Sequence, residues 1–193
     1  MRPGPGTIII VAALLIGFGV ELATYSAGND TSLLKLGALP DNGELHGQYW
    51  RLATYSFLHF NGVHLLVNLL LLSWVGGKLE QRIDLVLFGA IYVSSVIVSA
   101  AMILLVHSLN PKMGATVGAS GGIFGLLAAA LIISYRYNAR ALNKTGSLRT
   151  WLWVVLVAGL GISFLPGISM AGHVGGLIGG ALAACIAPLR KNV

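Results

Sequence analysis

Four side chains with useful chemistry stand out in an apolar sequence: Ser120, His173, His64 and Asn68. A serine hydroxyl is a poor nucleophile until a base accepts its proton, and histidine suits that role near neutral pH. Ser120 lies in Gly118-Ala119-Ser120-Gly121. Glycines there let the backbone turn tightly and leave room for a substrate carbonyl. At a helix start, the free N–H groups and the positive dipole end favour developing negative charge. His173 is followed by Gly176 and Gly180, three and seven residues on, which share roughly its helix face. Small residues at that spacing let two helix backbones approach closely. His64 and Asn68 are four apart and also share a face. As N–H donors they could stabilise an oxyanion beside the Ser120 backbone N–H, and one such donor contributes about 2.7–4 kcal/mol to a transition state. Each residue also has a plainer reading. Ser120 could be helix packing, His173 a buried imidazole bonded to a carbonyl, and His64 and Asn68 interhelical hydrogen bonding. His59, at the loop edge, reads as structural.

No acid completes a triad. Glu21, near the outer end of the first expected span, is the one acid well inside a span, Glu80 and Asp84 fall at the other end of the molecule, and Asp30, Asp41 and Glu44 lie in a loop. The expectation is a Ser–His dyad with no third acidic residue. A metal is not expected, because H-E-x-x-H is missing and neither Cys nor acid shares the depth of the histidines. No other cofactor is expected.

The elements that must position these residues follow from composition. Of 193 residues 9% are charged and 56% hydrophobic, with mean hydropathy +0.83. A soluble domain carries about 25% charged residues. Soluble enzymes, DNA-binding modules and disulfide scaffolds are therefore excluded. The single Cys185 forms no internal disulfide and is expected deep in the last span as a packing residue. Five stretches lack Asp, Glu, Lys and Arg: 3–20, 52–77, 85–111, 113–135 and 150–189. A membrane helix needs roughly 20 apolar residues. The last stretch accommodates two helices, divided at Leu165-Pro166-Gly167. The prediction is an all-α polytopic membrane protein with six spans, forming one domain over 1–193.

The spans are expected at about 7–25, 62–79, 85–106, 118–136, 150–165 and 171–188, with loops at 26–61, 107–117 and 137–149. Placing both termini in the cytoplasm puts nine of the twelve basic residues on that side and three (Lys35, Arg51 and Lys112) outside. The positive-inside rule supports that orientation and accounts for the pI of 9.8 without nucleic acid. Arg2 before an apolar run suggests a signal peptide, but no good cleavage site follows. Spans 2, 4 and 6 then all run inward. His64, Asn68, Ser120 and His173 fall in their first two turns, at most about 10 Å below the helix starts. The first loop is too long to be an idle connection. Its tail, Tyr49-Trp50-Arg51-Leu52, is amphipathic and suits an interfacial anchor.

These dispersed motifs resemble the rhomboid intramembrane serine proteases. Trp50-Arg51 is similar to the family's W-R pair, His64 and Asn68 to H-x-x-x-N, and His59 to a further family histidine. Gly76-Gly77 and Glu80 close span 2 as in family members. Gly118 to Gly121 matches G-x-S-G, and His173 with Gly176 and Gly180 matches H-x-x-G-x-x-x-G. The resemblance implies that Ser120 is the nucleophile, His173 the general base and acid, and His64 and Asn68 oxyanion stabilisers. It implies an aromatic ring at Phe124 packing on His173, where tyrosine is common. Substrates would be transmembrane proteins cut near the outer face, with small residues at the cleaved bond. No soluble appendage or transit peptide is recognisable, so a minimal six-helix type in a prokaryotic cell membrane is expected. Two other classes compete: a small transporter with a His64, His173 and Glu21 proton path, and a non-catalytic binder of membrane helices. The first predicts internal repeats, and none is found. The second predicts loss of the serine or histidine, and both are present.

Overall fold

The structure is a computed structural model that describes residues 3–136 and 147–186. Most of the expected basic loop at 137–149, and Arg190 and Lys191, lie outside the described residues. Eight helices are described. α1 (Pro5–Ala23) starts on Pro5, whose ring suits the first helical turn. α2 (Asp30–Leu36) is capped by Asn29, which accepts from Ser32 N–H at 3.0 Å, and it ends on Gly37 at φ +113°. α3 (Arg51–Thr54) runs into a 3₁₀ turn at Tyr55–Phe57. α4 (Gly62–Leu79) is capped by Asn61 and α5 (Leu85–Leu109) by Asp84, each side chain accepting a backbone N–H at 2.9 Å. α6 (Ser120–Arg136), α7 (Ser147–Ile162) and α8 (Met170–Ile186) follow. A two-residue ribbon, β1 (Leu39–Pro40) with β2 (Ala115–Thr116), pairs Leu39 with Thr116 and Pro40 with Ala115 in antiparallel register.

α6 is the axis of the bundle. Residues 121–131 are all buried, as expected for a helix apolar on every face. α8 and α5 pack closely against it and against each other, and α4 and α7 flank it. The α6–α8 contact is made by glycines. A Cβ on Gly176 would collide with the Gly121 carbonyl oxygen, and one on Gly180 with that of Gly125. The opposite α8 glycines, Gly175 and Gly179, press on the α5 backbone at Ser99 and Ser95. Close backbone approach replaces side-chain interdigitation here, the usual solution where lipid removes the hydrophobic drive between helices.

The outward faces are apolar: Ile8, Ile9, Leu15 and Ile16 on α1, and Trp151, Val154 and Val157 on α7 are exposed. Three helices, α1, α4 and α5, are long and apolar enough to cross a membrane, and α6, α8 and Leu148–Ile162 are apolar but shorter.

Two expectations need correction or sharpening. Cys185 is exposed on α8, not packed inside. The inward face of α8 is its glycine face continued by Ala184, which leaves the next residue outside. The first loop, read from its length as more than an idle connection, carries α2, β1, α3 and the 3₁₀ turn. Its inner residues Leu33, Ala38 and Leu58 form a small apolar core with Leu34, Leu36, Ala115 and Val117 packed against it.

Candidate active site

Ser120 is the first residue of α6. The first bond into this helix is from Ile123 N–H to Ala119 O, at 3.1 Å, so the N–H groups of Ser120 and Gly121 precede the intrahelical ladder. The approach is a strained turn. Gly118 has φ +130°, and its N–H donates to Tyr55 O at 3.0 Å. A Cβ on Gly118 would lie 2.8 Å from Cε1 of His64. Only glycine meets both conditions, because a side chain there would be strained and would displace the imidazole.

His173 enters from the first turn of α8, which Ser169 caps by accepting from Gly172 N–H at 3.1 Å. Its Nε2 lies 2.9 Å from Ser120 Oγ, across 53 residues of sequence. The ring is buried. Phe124, one turn below Ser120, lies against it, with centroids 4.0 Å apart and planes 9° apart. On the other side of the ring, His173 Nδ1 is 2.5 Å from Ser163 Oγ. Ser163 follows α7 directly. Sequence reasoning passed over it, although it is one of the few polar residues in the charge-free stretch 150–189. A polar group in such a stretch needs a partner, and that was the available signal.

His64 and Asn68 come from α4. His64 stands against Gly118, two residues before Ser120. Asn68 is buried, and its Nδ2 donates to His64 O at 3.1 Å, which leaves a second N–H on the same amide. His59 is fully buried. It meets His64 edge to face at 5.0 Å, and its backbone N–H donates to Glu21 Oε1 at 2.8 Å. Glu21 therefore fastens the turn that leads into α4. Gly121, Gly176 and Gly180 form the seam that lets Ser120 and His173 meet. Arg51 lies outside the site, where it knits the first loop. Its Nη1 donates to Leu34 O at 2.7 Å and Ala38 O at 2.6 Å, and its Nε to Gln48 Oε1 at 2.7 Å. Burial lowers its pKa from the usual guanidinium value.

Residues 46–189 match the family model described as the Rhomboid domain. The chain belongs to the rhomboid family. Among curated relatives it is similar to RHOMBOID-like protein 5 of Arabidopsis thaliana, 34% identical over 83% of this chain and 51% of that protein. It is similar also to Rhomboid protease GluP of Bacillus subtilis (strain 168), 33% identical over 95% of this chain and 35% of that protein. RHOMBOID-like protein 6, mitochondrial, of Arabidopsis thaliana is 30% identical over 79% of this chain and 48% of that protein. The chain spans about half the length, or less, of these relatives. The rhomboid region takes in every residue of the Ser120 site, from His59 to His173, and Glu21 lies before it. Rhomboid membership makes the bundle a polytopic helical membrane protein, and the exposed apolar faces of α1 and α7 suit contact with lipid.

Proposed function

We propose that this rhomboid chain is an intramembrane serine endopeptidase that cuts transmembrane segments of other proteins near the outer face of the membrane. The observation that carries this is the 2.9 Å approach of His173 Nε2 to Ser120 Oγ at the start of α6. The protease named among its relatives supports the same reading.

His173 Nε2 takes the proton of Ser120 as Oγ attacks the scissile carbonyl carbon. The carbonyl oxygen becomes an oxyanion, met by the Ser120 N–H, the His64 imidazole and the free amide N–H of Asn68. The intermediate collapses with cleavage of the C–N bond. His173 returns the proton to the leaving amine, which departs and leaves an ester on Ser120. Water then attacks the ester with His173 again as base, releasing the carboxylate product and restoring Ser120. The reaction consumes water, so a site at the helix starts, near one membrane face, is where the substrate bond and water can both be reached.

The wider frame belongs to the same proposal. The chain forms one domain, α6, α7 and α8 complete six spans with α1, α4 and α5, and both termini face the cytoplasm of a prokaryotic cell. The partners are the bilayer and transmembrane substrates. The decisive test is Ser120→Ala. It should abolish cleavage of a single-span test substrate and labelling by a fluorophosphonate, with the protein still folded. Retained cleavage rejects the assignment. Asn68→Ala should slow cleavage by less, since one oxyanion donor accounts for roughly a hundredfold to a thousandfold.

A further inference from the structure

His173 has two ring nitrogens, and a base toward Ser120 requires that Nε2 be bare and Nδ1 carry the proton. Something must accept that Nδ1–H, since an imidazole buried without a partner is costly and free to choose the wrong tautomer. No carboxylate approaches His173 among the described residues. What does approach is Ser163 Oγ, 2.5 Å from Nδ1.

The direction of that bond follows from the other contact of Ser163. Its hydroxyl also lies 2.8 Å from Gly159 O, one turn back on α7. A carbonyl oxygen only accepts, so the Ser163 proton goes to Gly159. The lone pairs of Ser163 Oγ are then left to accept from Nδ1–H. The chain of bonds runs Ser120 O–H to His173 Nε2, and His173 Nδ1–H to Ser163 Oγ, which is in turn anchored by Gly159. We propose that Ser163 is the positioning residue of this site, selecting the Nδ1–H tautomer of His173 and holding its ring so that Nε2 faces Ser120. This rests on the serine–histidine reading above.

Ser163 thereby takes the place an acid holds in a triad, without adding charge to a membrane-embedded site. An acidic partner would hold the imidazolium by charge, and a serine oxygen holds it by one neutral hydrogen bond, a smaller effect. The anchor on Gly159 also ties the orientation of the base to the end of α7.

The test is kinetic, on the full chain in detergent or vesicles, with Ser163→Ala, Ser163→Cys and Ser163→Thr assayed on a single-span substrate. Losing the acceptor weakens His173 as a base, because the imidazolium loses a hydrogen-bond partner. The acid limb of the kcat/KM profile then moves to lower pH. The described groups around the site do not confound this shift. Among the described residues, Ser120 and Phe124 of α6, Gly159 of α7, and Ser99, Met102 and Ile103 of α5 beside Gly172 and Gly175 are neutral, and the titratable groups, His64 of α4 with His59 against it, are common to all variants. In Ser163→Ala and Ser163→Cys, kcat should fall about tenfold to a hundredfold, short of the full effect of a general base, with KM within about twofold. Ser163→Thr, which keeps the oxygen, should restore both rate and limb.

A wild-type kcat and limb in Ser163→Ala overturns the proposal. So does a loss of rate with an unmoved limb, which marks a structural role. If Ser163→Ala does not fold, the same two outcomes are read from Ser163→Cys. Ser120→Ala in the same assay separates the two levels. Retained cleavage there removes the serine–histidine reading itself, whereas an inactive Ser120→Ala beside an unaltered Ser163→Ala removes only the role of Ser163.

Discussion

The tip of the Phe124 ring points at Gly159: a Cβ on Gly159 would lie 2.6 Å from Phe124 Cζ. The face of the same ring lies on His173. Phe124 therefore fills the gap between α8 and α7, and there is no room at its para position for another atom while α7 keeps its place. This gives a reason for phenylalanine at this position.

Phe124→Ala should reduce kcat by up to about tenfold, since an aromatic stacking pair is worth about 0.5–1.5 kcal/mol. KM should change little. Phe124→Tyr should not raise activity, because its hydroxyl meets Gly159. Steady-state cleavage of one substrate by the three proteins checks this, and a Tyr variant faster than wild type would contradict the packing.

Ser120, His173, His64 and Asn68 are legible in the sequence because polar groups in charge-free stretches are rare and each needs a reason. The glycine spacing after His173 is legible for the same reason, as a face with nothing else to offer. Ser163 is not. It stands at the end of α7, where a serine routinely bonds a carbonyl of its own helix, as it does with Gly159. Its second partner depends on the turn between α7 and α8, which no spacing rule specifies. Cys185 fails differently. Periodicity places it on the last helix, but which side is inward is decided by where Gly176 and Gly180 meet α6. The first loop shows an Asn29 cap and a Gly37 stop, yet a seven-residue helix between them has too little length for a periodic signal.

The glycine seam predicts a graded set of alanine substitutions. Gly176→Ala and Gly180→Ala must push α8 off α6, because the new methyl meets backbone that has no rotamer to change. Such overpacking costs about 1–3 kcal/mol. Activity should fall further than stability, since the 2.9 Å contact between Ser120 and His173 spans the same seam. Gly161→Ala, on open space at the end of α7, is the control and should leave both unchanged. Thermal unfolding in detergent and cleavage rate, measured side by side, decide it.

Arg51 predicts a loop phenotype. Three hydrogen bonds from one guanidinium join α2, the segment after it and Gln48. Lysine cannot reproduce that fork. Arg51→Lys and Arg51→Ala should both expose the first loop to added protease, with Ala the more sensitive. Bonds to a charged donor contribute about 1.5–3 kcal/mol. Equal protection of wild type and Arg51→Ala would show that the apolar contacts of Leu33, Ala38 and Leu58 hold the loop alone.

Glu80 separates stability from chemistry. Its carboxylate accepts from Gly6 N–H at 2.7 Å, Thr7 N–H at 3.0 Å and Thr7 Oγ1 at 2.5 Å, so it caps the start of α1 from the far end of α4. A negative charge at a helix N-terminus is stabilising by about 0.3–2 kcal/mol. A neutral amide loses that charge and presents its oxygen to only part of the donor set. Glu80→Gln should therefore lower the unfolding midpoint and free α1 from α4. Glu80 and Ser120 are at opposite ends of the bundle, on the C-terminal end of α4 and the N-terminal end of α6 respectively. The kcat of the folded fraction should accordingly stay at the wild-type value. A fall in kcat at temperatures well below the unfolding midpoint would mean that the placement of α1 is felt at Ser120, with the Glu21–His59 contact as the physical link.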